Sequence, residues 1–191
     1  MIITSPSQNK AEASSIYFTS PEGLSVKLSD FGFAGLLEDS AQDDPEFATR
    51  ARSFGLSVKG RGSTATSLSL AATNFAMAED LHALGFVFMG LLLVSLSELP
   101  TASTPIPSTD EDTIQKLLGE IFENDFDAFR DYVEAEEVWS SLVNLLDDDG
   151  GAGWDVLRTL FQARETAAEN QNSLQIVTAR GLLSNRFFRS P

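Results

Sequence analysis

The chain has no cysteine, which excludes disulfide bridges, thiolate zinc sites and cysteine nucleophiles. It has one histidine, His82, set in an apolar stretch. A metal site built on paired imidazoles is therefore improbable, and His82 reads as a satisfied buried or edge residue rather than a base. Positive charge is scarce: 13 Lys and Arg face 28 Asp and Glu, a net charge of −15. Phosphate binding needs clustered Lys and Arg, so nucleic acid is excluded as a partner and an anionic membrane is a poor one. No internal repeat is present. The opening stretch MIITSPSQNK is too short and too polar for a secretory signal.

A long apolar run is also missing. The best candidate, Leu81 to Leu96 (LHALGFVFMGLLLVSL), falls short of the roughly 18 to 20 residues of a spanning helix. Acidic residues flank it (Glu79, Asp80, Glu98) with no Lys or Arg anchor. It reads as a helix apolar all round because it lies inside a domain. The acidic runs Asp147-Asp148-Asp149 and Glu134 to Glu137 read as solvated faces, because they lack the alternating ligands, glycine and distal Glu of a calcium loop.

What is present suffices for a core. Apolar residues make up 42% of 191 residues, a length that suits one domain or part of a larger one. Residues 1–14 are polar and read as a disordered leader to a domain over 15–191. Ile16–Thr19 and Ser25–Leu28 read as two short strands joined by a turn at Pro21-Glu22-Gly23. Residues 36–75 hold no long periodic run, and the segment from about Glu38 to Asn74 reads as the most mobile part of the chain. Arg50, Arg52, Lys59 and Arg61 gather there, and a phosphate on Ser53 or Ser63 would be neutralised among them.

Beyond that the pattern is helical. A buried helix is expected from Asp80 to Leu96. A second is capped by Ser108, with Glu111 closing a capping box, and carries Ile114, Leu117, Leu118, Ile121 and Phe122 on one face. A third runs from about Phe126 to Leu146. The stretch DDDGGAG then breaks the chain, Trp154, Leu157, Leu160 and Phe161 mark another stripe, and TARGLLSNRFF forms a short final helix. The fold class expected is mainly α, with a small β-hairpin and about five helices.

Three segments in this order resemble the C-terminal lobe of protein kinases. GLSVKLSDFGFA is similar to the strand leading into that family's Asp-Phe-Gly turn, here Asp30, Phe31 and Gly32. AEDLHALGFVFMGLL is similar to its central buried helix, which opens with an Asp, here Asp80, and carries Leu84-Gly85. TARGLLSNRFF is similar to its last-helix signature, with Thr178, Ala179, Leu182, Leu183, Phe187 and Phe188. The resemblance implies that Asp30 holds Mg²⁺, that Asp80 and Gly85 are structural, and that 36–75 is an activation and docking segment.

The same resemblance implies parts that the chain does not show. There is no room ahead of Ile16 for the Gly-rich loop and Lys–Glu clamp of an N-terminal lobe. Set without gaps against the family, Lys10 stands where the catalytic Asp belongs and Ser15 where the metal-binding Asn belongs. The docking segment lacks its closing acid, and Ile176 replaces the Arg that pairs with it. Both halves of a buried ion pair are thus absent together, as the cost of stranding one charge demands. The expectation is a pseudokinase-like lobe, intracellular (cytoplasm and plastid alike), with protein partners on its surface. No catalytic residue is assigned, and ATP and Mg²⁺ are expected only with a borrowed N-terminal lobe. Two alternatives stay open: the C-terminal part of an active Ser/Thr protein kinase, and an unrelated helical interaction domain attached to a membrane through 81–96.

Overall fold

The computed structural model of the chain describes residues 16–19, 25–28, 45–58, 69–98, 110–171 and 177–189. It is mainly α. Strands β1 (Ile16–Thr19) and β2 (Ser25–Leu28) pair antiparallel, Ile16 opposite Leu28. Seven α-helices follow among the described residues: α1 Pro45–Ser53, α2 Leu70–Ser95, α3 Glu111–Lys116, α4 Phe126–Ala135, α5 Ser140–Phe161, α6 Ala163–Glu169 and α7 Ala179–Leu182. Turns of other pitch join them at Leu117–Ile121 (π), Glu137–Trp139 and Arg186–Phe188 (both 3₁₀).

Two helices depart from the sequence reading of 36–75 as irregular. Pro45 opens α1, where its missing N–H costs nothing, and only Phe47 and Ala51 of that helix are buried. So short a stripe carries little periodic signal. α2 begins at Leu70, ten residues before the expected start at Asp80. Ser69 caps it, its hydroxyl accepting from the Ala72 amide at 3.1 Å, and the alanines that follow favour the helix.

α2 packs along α5 and α6. Its buried face carries Phe75, Ala78, Leu81, Gly85, Phe86, Met89 and Leu93. The largest core cluster joins Met89 and Leu93 to Ile114, Leu118, Phe126, Phe129, Trp139, Leu142, Trp154 and Phe161. Each such side chain contributes roughly 1.5–3 kcal/mol on burial. A second cluster gathers Phe47, Ala51, Leu56, Ala72 and Phe75 under α1. The expectation that α2 is enclosed on all sides is corrected. Its opposite face, with Leu84, Val87, Leu91 and Val94, is exposed. α2 is long and apolar enough to cross a membrane, with 39% of its most apolar window buried.

The cap of α3 also differs from expectation. Asp110, not Ser108, accepts from the Thr113 amide at 2.9 Å, and Ser108 lies outside the described residues. The predicted stripe is buried at Ile114 and Leu118 but not at Ile121. The reason is the π turn, in which the Phe122 amide reaches the Leu117 carbonyl at 2.9 Å. A wider turn rotates the residues after Leu118 off the helix face. The single helix expected over 126–146 is two, because Glu136 takes an extended conformation (φ −90°, ψ 108°). The break at DDDGGAG is present inside α5, at Asp148 to Gly151.

Candidate functional site

The described residues that carry the resemblance meet where α2 crosses the end of α5. Gly85 makes the crossing close: a Cβ there would stand 3.1 Å from Leu160 Cβ and 3.3 Å from the Phe161 ring. Next to it, His82 Nδ1 lies 2.8 Å from the Phe161 carbonyl oxygen. A carbonyl only accepts, so Nδ1 carries the proton. The ring meets Phe86 edge to face at 5.0 Å. Burial pushes the imidazole below its ordinary value, and the Arg164 guanidinium adds to this. His82 is therefore a neutral, satisfied donor that ties α2 to α5, as its apolar setting suggests.

The closing segment docks against both α2 and α5. Thr178 caps α7 by accepting from the Gly181 amide at 3.0 Å. The 3₁₀ turn then brings Phe187 and Phe188 to 6.2 and 6.4 Å from the Phe88 ring. Phe187 is half-buried and Phe188 exposed. The central-helix and last-helix segments, nearly ninety residues apart in sequence, are thus neighbours in space.

Other predicted residues fare differently. Asp80 is exposed, and burial of its surroundings, then the charge of Glu79, raise its carboxyl above the ordinary value. Asp30, Phe31, Gly32, Lys10, Ser15, Ile176 and the Lys59, Arg61 and Ser63 group lie outside the described residues. Arg50 does not wait for a phosphate. Its guanidinium donates two bonds to Glu79, at 2.6 and 3.1 Å, which clamps α1 onto α2. Among the described residues no group of three or more His, Asp or Glu is placed to hold a metal ion.

Sequence reasoning missed two features. Asp147 and Glu134 are not merely solvated: Arg130 binds both, and Asp147 also accepts from the buried Trp154 indole. Arg164 and Glu165 each bury a polar atom, Nε and Oε2, without a hydrogen-bond partner. Arg164 lies over Phe54 at 5.8 Å, while Glu165 lines a cavity of about 300 Å³ with Asn124, Gln162, Thr166 and Glu169. A polar stretch such as ARETAAEN offers no sequence signal that two of its charges turn inward. No protein family, no curated relative and no solved structure matches this chain.

Proposed function

We propose that residues 15–191 form a protein-kinase-like C-terminal lobe that serves as a scaffold and does not transfer phosphate alone. The observation that supports this best is the docking of Phe187 and Phe188 on Phe88 of α2, a few residues beyond Gly85. Two segments chosen from sequence for their likeness to one family pack against each other, and the closing turn also packs on α5. Phosphoryl transfer rests on positioning and charge neutralisation. A single turn carboxylate, Asp30, leaves most of magnesium's six positions to water. With Lys10 at the base position, the hydroxyl proton has no acceptor.

The test is radiolabel transfer from Mg-ATP to a protein substrate by three proteins: the chain, its fusion to a borrowed N-terminal lobe, and that fusion carrying Lys10→Asp and Ser15→Asn. The expected result is transfer by the third alone. Transfer by the unaltered chain that Asp30→Ala abolishes overturns the reading. Transfer by the unsubstituted fusion overturns the assignment of Lys10.

A further inference from the structure

The cavity of about 300 Å³ beside α6 has walls of two kinds. Leu118, Phe126 and Phe161 give it an apolar side, and all three are buried in the core. The Phe126 and Phe161 rings stand 5.9 Å apart. Glu165 and Glu169 of α6 give it an acidic side. The volume is at the small end of the range for ligand sites.

Both glutamates are costly where they stand. Glu165 buries its Oε2 atom without a hydrogen-bond partner, and a buried polar atom left unmatched destabilises the fold. Glu169 is the last residue of α6, where the negative end of the helix dipole opposes an acid. The two are four residues apart on one helix, a spacing at which like charges repel. Neither forms an ion pair with a Lys or Arg among the described residues. Local rules broken together in the wall of one cavity point to function rather than stability. One positive charge placed between the two carboxylates offsets all of these costs.

We propose that this cavity binds a small alkylammonium ion, its charged group between Glu165 and Glu169 and its chain against Leu118, Phe126 and Phe161. The walls select against other ligands. Both carboxylates repel an anion. A divalent metal ion needs more oxygen ligands than two side chains supply. No group of three metal-ligating side chains occurs among the described residues, and a hydrated ion gains nothing from an apolar wall. A neutral apolar molecule leaves both carboxylates uncompensated. An aliphatic amine uses both walls, because aromatic rings attract a cation and also bury methylene groups. The inference stands apart from the kinase-like reading, because it uses only the walls of this cavity.

The probe is n-pentylamine, with n-pentanol as its uncharged twin. Each is titrated into the ¹⁵N-labelled full chain, and the amide shifts of Glu165 to Glu169 report binding. The amine is expected to bind and the alcohol to bind at least about tenfold more weakly. Glu165→Gln with Glu169→Gln is expected to weaken the amine by about tenfold or more. Glu169→Gln alone should weaken it severalfold without lowering the melting temperature, since it takes an acid from the end of a helix. Circular dichroism melts check that each variant is folded. The proposal is overturned if the amine does not bind, if amine and alcohol bind equally, or if both the single and the double variant bind the amine unchanged. Magnesium chloride that displaces the amine more than sodium chloride of equal ionic strength gives the site to a metal ion and also overturns it. An acetylated, amidated Gly-Lys-Gly peptide presents the same ammonium group on a polypeptide. Binding of that peptide more tightly than pentylamine gives the site to a partner's lysine and overturns the small-molecule assignment.

Discussion

One oxygen of Asp147, Oδ1, accepts from the Trp154 indole at 2.9 Å and from Arg130 at 3.0 Å. The guanidinium of Arg130 in turn lies 5.0 Å over the Trp154 ring. This triangle spans the break in α5 and ties both sides of it to α4. Asp147→Ala leaves a buried indole N–H and a half-buried guanidinium without that acceptor. The expected cost is about 1–3 kcal/mol, with Asp147→Asn costing less because it keeps an acceptor for the indole. Urea unfolding followed by tryptophan fluorescence checks this. An unchanged midpoint for the alanine variant would show that the triangle contributes nothing.

Three glycines sort by what a methyl group would meet. Alanine in place of glycine favours a helix by about 1 kcal/mol, while overpacking costs about 1–3 kcal/mol. Gly119 has nothing within 4 Å, so Gly119→Ala should stabilise. At Gly85 the neighbours at 3.1 and 3.3 Å are side chains that can yield a little, so a small loss is expected. At Gly153 the methyl would stand 2.8 Å from Leu146 Cα and 2.6 Å from its Cδ2. Backbone does not yield cheaply, so Gly153→Ala should lose most. Melting temperatures in any other order would contradict the packing described.

His82 titrates below its ordinary value in the folded chain because burial disfavours its charged form. The unfolded chain therefore takes up a proton first as pH falls through about 6.5. Stability from this residue is complete above that pH and is lost on acidification until the folded ring also protonates. His82→Phe removes the proton linkage. The stability gap between native chain and variant should be widest at pH 8 and should shrink towards pH 5.5 in paired denaturant titrations. A constant gap would mean that His82 is not held neutral.

The two faces of α2 should answer differently to charge. Met89 has no exposure and Leu91 is 60% exposed. Met89→Asp buries an unpaired carboxylate in the main core and should abolish the cooperative transition. Leu91→Asp should stay within about 0.5 kcal/mol of the native chain. Circular dichroism melts separate the two, and equal damage from both would show that α2 is enclosed.

Much of the helical part was legible from period and punctuation. Ile114 and Leu118, Trp154 and Phe161, and the break at the double glycine all stand where apolar spacing and turn residues indicate. What escaped had a physical reason each time. α1 buries only two residues, too few to make a stripe. α2 begins in a polar, alanine-rich stretch whose start depends on one serine cap, whereas the acid at Asp80 suggested a first turn. The π turn at Leu117–Ile121 leaves no mark in composition, yet it puts Ile121 outside. At the site, His82 was legible because an apolar setting leaves an imidazole few alternatives. Arg130, Arg164 and Asp147 were not, since nothing in a charged side chain's sequence neighbours tells which way it turns.

At the corner of α5, three residues in succession, Asp149, Gly150 and Gly151, take positive φ of 49°, 71° and 82°. For an L-residue that region is costly, and for its mirror image it is the ordinary helical one. The joint between the two halves of α5 therefore has reversed local chirality. Gly151 has nothing within 4 Å of its would-be Cβ, and Gly150 only the tip of Arg186 at 3.9 Å. Space does not discriminate at either position, so handedness alone does. A D-alanine placed at Gly151 by semisynthesis should stiffen the corner by about 0.4–1 kcal/mol through the unfolded chain, and an L-alanine at the same atom should oppose it.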